Sequence, residues 1–137
     1  MADSPIHALM SRLDALDLDG AMSLFAPEAT FCSVFGAEAK GPEQVRAEIS
    51  KVLNGLRGRT HEVDAEWNPQ PGVWIAKLTA TYELADFSRL GPYRRAAFIH
   101  AGDDGIETLE LYGAHEVPSS GSAYVEVRGP HGWLPSL

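Results

Sequence analysis

Residues 60–67 read T-H-E-V-D-A-E-W, and at this stretch the apolar period of the chain changes from that of a helix to that of a strand. Glu62, Asp64 and Glu66 fall on one face, while His61, Val63, Ala65 and Trp67 fall on the other. Everything before this point is dominated by helical stripes. Ser4-Pro5 starts a helix, since Ser can cap and Pro is tolerated in the first turn. Ile6, Leu9, Met10, Leu13 and Leu16 then form a stripe that needs a covering partner. Asp17 or Asp19 caps a second short helix with Leu18, Met22 and Phe25 inward, ended by Pro27. A strand over 29–36, A-T-F-C-S-V-F-G, precedes a third helix opened by Gly41-Pro42. That helix carries Val45, Ile49, Val52, Leu53 and Leu56 on its apolar face, and Gly55 and Gly58 close it.

Downstream the period stays at two. Asn68-Pro69-Gln70-Pro71-Gly72 is a turn cluster, followed by a long strand over 73–85 with Trp74, Ala76, Leu78, Ala80 and Tyr82 on one face. A loop around 86–92 leads to strands over 93–101 and 106–116, joined by the turn Gly102-Asp103-Asp104-Gly105. Three helices first and the long strands last favour an α+β domain, an antiparallel sheet with helices on one side, over alternating βαβ units. Residues 118–122, P-S-S-G-S, read as a linker that divides a domain over 1–117 from a tail over 118–137. The tail keeps Tyr124, Val125, Val127, Trp133 and Leu134, so it is expected to dock on its own domain or on a neighbouring subunit; a lid over a pocket is the alternative.

Composition narrows the function classes. Among 137 residues, 11 Lys+Arg against 19 Asp+Glu give a net charge of −8. That balance opposes nucleic-acid binding, which relies on clustered cations, and opposes an anionic membrane surface. No apolar segment is long enough for a membrane span, and no basic run precedes an apolar N-terminal stretch. Cys32 stands alone, so no intrachain disulfide can form and a reducing cytoplasm is the expected location.

The runs L-D-L-D-G-A-M-S-L-F-A-P-E-A-T-F at 16–31, G-P-E-Q-V-R-A-E-I at 41–49 and D-G-I-E-T-L-E-L-Y at 104–112, in that order, resemble the nuclear transport factor 2-like (NTF2-like) superfamily, in its SnoaL-like and ketosteroid-isomerase-like branch. The resemblance covers residues 5–117. It implies a cone, a curved sheet around a pocket with helices closing the back, and commonly a homodimer paired through the sheets. The superfamily hosts isomerases, dehydratases, epoxide hydrolases, cyclases, binders and association domains, so the site must decide the activity. In ketosteroid-isomerase-like members the first strand resembles A-T-x-x-D-P-x-G, and its Asp is a general base. Ser33 holds that position here, and a hydroxyl has no useful basicity near neutral pH. The family's protonated acid falls near Ala97 and its first-helix Tyr near Leu9, both apolar. Steroid-type isomerisation is thereby disfavoured.

A replacement base is sought among the residues themselves. His61 lies among Val63, Ala65 and Trp67 on the less charged face of its strand, and imidazole titrates near neutral pH unperturbed. Its bland reading is a partly buried His satisfied by a carbonyl. Tyr82 could donate a phenolic proton to a bound carbonyl or simply fill the wall, and Ser33 is a second candidate donor. Trp67, Trp74, Phe35 and Tyr112 are candidate pocket walls, Tyr112 with an interface as its alternative. Asp86 could orient His61 or sit exposed in a turn. Of Arg94 and Arg95, alternation sends one inward, where it would need a carboxylate or an acidic ligand; Arg95 is the candidate. Cys32 reads as a small core residue, and His100 as a sheet-face or interface residue. The five histidines lack paired ligand spacing, so no metal is expected, and no glycine-rich strand-to-helix loop points to a nucleotide cofactor. The sequence thus supports a protein that binds a small apolar, carbonyl-bearing molecule, as a cofactor-independent acid–base enzyme or, alternatively, as a non-catalytic dimeric module with a filled cone.

Overall fold

The computed structural model of the chain describes residues 4–34, 38–119, 122–129 and 132–133. Three helices come first: α1 (Pro5–Asp14), α2 (Leu18–Met22) and α3 (Gly41–Leu53). The strands are β1 (Phe25–Cys32), β2 (Glu38–Lys40), β3 (Leu56–Gln70), β4 (Val73–Leu84), β5 (Arg89–Gly102), β6 (Gly105–Ser119), β7 (Ser122–Gly129) and β8 (Gly132–Trp133). Local chemistry sets the helix starts. Ser4 accepts from the Ile6 amide ahead of Pro5, and Asp17, not Asp19, caps α2 by accepting from the Gly20 amide.

The sheet runs β2-β1-β6-β5-β4-β3, with β7 pairing β6 and β8 pairing β7. Its described pairs are antiparallel except β1 with β6, which are parallel. The α+β class and the curved sheet with three N-terminal helices therefore stand, with one parallel junction in a sheet read as wholly antiparallel. Register shifts between Val63 and Ala65, Ala80 and Tyr82, and His100 and Ala101 are the irregularities that bend long strands. Helices and the concave face enclose one apolar core. Ile6, Leu9 and Leu13 of α1 and Val45 and Ile49 of α3 pack against Leu78, Ala97, Ile99, Ile106 and Leu109.

Several boundaries differ from the sequence reading. Helix α2 stops at Met22, and Phe25 to Pro27 belong to β1. Pro27 fits there because β1 is irregular between Phe25 and Thr30, where a missing N–H breaks no regular ladder. Leu56 leaves α3 and opens β3, since Gly55 takes a left-handed φ of 79°. Strand β3 also runs on to Gln70, leaving only Pro71 and Gly72 as the turn. In the stretch read as a linker, Pro118 pairs with Ala123 and Ser119 with Ser122, a hairpin from β6 into β7. The backbone of Trp133 pairs with Arg128; Leu134 lies outside the described residues.

Candidate functional site

Where β3 begins and β4 ends, the sheet and the C-terminal half of α3 leave a cavity of about 210 Å³. Lys51, Val52 and Asn54 come from α3 and its end, Arg59 and His61 from β3, Tyr82 from β4, and Leu90, Tyr93 and Arg95 from β5. Ser33 and Val34 close it from the end of β1.

Strand β3 is an edge of the sheet, and the outward amide of His61 is met by α1: Asp14 Oδ2 accepts it at 2.9 Å. The other carboxylate oxygen, Oδ1, lies 2.8 Å from His61 Nδ1. A carboxylate accepts, so the neutral ring carries its proton on Nδ1 and keeps a lone pair on Nε2. Arg59 Nη2 lies 3.3 Å from Nδ1 and 3.1 Å from Nε2. An atom nearly equidistant from both ring nitrogens cannot lie along either in-plane lone pair, and an in-plane position between them would strike Cε1. The guanidinium therefore lies over the ring face. Among the described residues no other group takes the in-plane position of Nε2.

The His61 side chain is 4% exposed, and burial pulls its pKa below the ordinary 6.5. The hydrogen bond to Asp14 opposes that fall, and the Arg59 charge adds to it. His61 is thus held neutral, as a base near neutral pH requires. The Arg59 side chain is 3% exposed, and burial lowers its pKa too. Its Nε lies 3.4 Å from Asp14 Oδ1, an ion pair by distance without hydrogen-bond alignment, and Nε and Nη1 have no hydrogen-bond acceptor among the described residues.

Tyr82 stands edge-on to His61 with ring centroids 6.1 Å apart. Arg95 Nη2 donates to its phenolic oxygen at 3.3 Å, and the Arg59 and Arg95 guanidiniums lie 5.7 and 5.9 Å from its ring centroid. With its oxygen accepting from a cation, the phenol keeps its own proton to donate. Ser33 is fully buried, and its hydroxyl donates to Glu48 Oε1 at 3.1 Å. Glu48 of α3 thus stands behind Ser33, buried and outside the cavity lining.

The structure brings His61, Tyr82, Ser33 and Arg95 together; Arg94 is exposed. It does not bring in the remaining candidates among the described residues. Trp67 is 50% exposed and stands about 20 Å along β3 from His61 at the usual rise per residue. Trp74 is at that same far end, partly buried against the core and paired with Ile99. Tyr112 projects from the opposite face, where it stacks edge-on with Phe98 and donates to Glu110. Asp86 is exposed and accepts from the Ser88 amide in the β4–β5 turn. Phe35 lies outside the described residues. Cys32 is buried outside the main core cluster, where burial first and then the Glu38 and Glu110 carboxylates raise its thiol pKa, and His100 is exposed and pairs with Glu107.

Sequence reasoning missed Asp14, Glu48 and Arg59. Arg59 was within reach of it, because the alternation that placed His61 extends one step back to residue 59. Glu48 follows Val45 at helical spacing on the buried stripe. Asp14 gave no signal, since its role depends on where α1 ends relative to β3.

Neither a family model nor a curated protein matches the sequence significantly. Solved structures do match the fold. A hypothetical protein with a ketosteroid isomerase-like fold from Catenulispora acidiphila, solved with trimethylamine, superposes with a TM-score of 0.71 at 11% identity, over 82% of this chain and 86% of its own. An NTF2-like protein of unknown function from an Exiguobacterium species gives 0.67 at 18% identity over 80% and 98%. An LEH-like epoxide hydrolase of M. tuberculosis gives 0.66 at 11% identity over 79% and 78%. The chain has the nuclear transport factor 2-like fold.

Proposed function

We propose that this protein binds a small, largely apolar, carbonyl-bearing molecule and acts on it by cofactor-independent acid–base chemistry, in the manner of an isomerase, cyclase, dehydratase or hydrolase. The observation that carries the reading is the Asp14–His61 pair at the cavity, with Nδ1 held by the carboxylate and the ring among the lining residues. His61 takes a proton from carbon or oxygen of the ligand, and Asp14 holds the ring and stabilises the imidazolium that forms. Tyr82, polarised by Arg95, donates to the oxygen on which negative charge develops. Ser33 supports from behind, its proton committed to Glu48. The working unit is proposed to be a cytoplasmic homodimer, which light scattering on the purified protein tests; among the described residues no helix is long and apolar enough to cross a membrane.

Solvent deuterium exchange into small ketones, followed by proton NMR, tests the chemistry. The wild type is expected to accelerate exchange at carbon next to the carbonyl, and His61→Gln to lose about 10²-fold or more of that acceleration. Exchange unchanged in His61→Gln would sink the mechanism. A non-catalytic binding or association module is the second reading. It draws on Leu9, Ser33 and Ala97, all fully buried and without a carboxylate or phenol, and on a cavity of about 210 Å³, below the roughly 300 Å³ at which ligand pockets usually begin. Binding of a ketone without exchange would favour it.

A further inference from the structure

We infer that the cavity is built for an anion, a small apolar carboxylate whose charge is met by Arg59 and Arg95; the inference rests on the ligand-binding reading above and names the ligand class. Three charged side chains line the cavity among the described residues, Lys51, Arg59 and Arg95, and all three are cations. The nearest carboxylates stand behind the wall and are already engaged. Asp14 serves the amide and Nδ1 of His61 as well as the Arg59 ion pair, and Glu48 accepts from Ser33 and pairs with Lys51. One carboxylate shared between a ring and a guanidinium leaves Arg59 with buried donors unmet, at Nε and Nη1. Burying a guanidinium is costly unless an opposite charge stands near it.

The second guanidinium converges on the same space. Arg95 lies across its cross-strand partner Gly113: a Cβ built there would come within 2.8 Å of Arg95 Cδ and 2.9 Å of Nη1. Its Cζ stands 5.2 Å from the Tyr93 ring centroid, so aromatic faces hold the cation at the wall. Val52, Leu56, Leu90 and Leu111 give the lining an apolar part, beside the polar Asn54 and Ser33. A dry cavity of about 150 Å³ accepts benzene, so about 210 Å³ suits a ring bearing one carboxylate. The ligand that fits this charge and size is an aromatic or short branched monocarboxylate.

Calorimetry near neutral pH and at fixed ionic strength, with benzoate and phenylacetate against benzamide and acetophenone, tests the inference. The acids are expected to bind at least about tenfold more tightly than their neutral counterparts, a preference that should weaken as salt is raised and collapse in Arg95→Met. Neutral probes binding as well as the acids would overturn the anion inference and leave the ligand-binding reading standing. No binding of any of the four at millimolar concentration would remove both. Preference retained in Arg95→Met would overturn the assignment to these residues. Should that variant fail to fold, the acid–amide comparison on the wild type decides alone.

Discussion

Asp14 accepts from one residue twice, at the backbone and at the ring, and stands in ion-pair range of a second. Replacing it with Asn turns one of the two acceptor oxygens into a donor and removes the charge opposite a buried cation. Asp14→Asn is expected to cost about 1–3 kcal/mol, read as the urea midpoint, and to drive the His61 pKa lower still, read by NMR titration, because both effects of Asp14 raise it. Arg59→Gln should move the same titration upward. The sign for stability follows. The folded pKa of His61 lies below 6.5, so between the two values the unfolded chain holds a proton that the folded one refuses. This contribution is fully present above 6.5 and is lost as pH falls towards the folded value. Urea midpoints at acid and neutral pH should differ less in His61→Gln than in the wild type. The histidine was legible in the sequence because alternation alone gives its face. Its carboxylate partner was not, because Asp14 is polar at the end of an amphipathic helix and looks like any exposed terminus.

At the scale of the element, α1 is held by a cap and a stripe. Leu9 is fully buried at its centre, and Leu9→Ala should cost about 2–5 kcal/mol in denaturant titration. Gly113 in β6 faces Arg95, and an added Cβ would also come within 2.7 Å of the Arg94 carbonyl oxygen. Gly113→Ala is expected to lose about 1–3 kcal/mol. The helices were legible from their spacing and starts. That Trp67 and Trp74 stand away from the cavity has a simple cause: period two gives the face of a strand but not the place along it. On strands such as β3 and β4, of 15 and 12 residues, one face can serve the core at one end and a cavity at the other.

For the whole molecule, the order of helices and strands was enough to read the α+β class, since each element is written locally. The parallel pairing of β1 with β6 was not readable, because it joins Phe25 to Ile106 and Phe31 to Leu109 across most of the chain. A chain ended at Gly102 should therefore lack cooperative unfolding by circular dichroism, although it keeps all three helices and five of the six strands of the main sheet path. A native-like melt from that fragment would refute the dependence on β6. The same junction bears on synthesis. As the chain leaves the ribosome, β1 emerges early and its principal strand partner, β6, emerges late, so its apolar face waits for it. Loop-closure entropy over that separation must be met before the β1–β6 contacts form, which places folding among the slower, topology-limited domains of this size. The interval before β6 emerges is when a nascent chain of this protein is most exposed to chaperones and to its own neighbours.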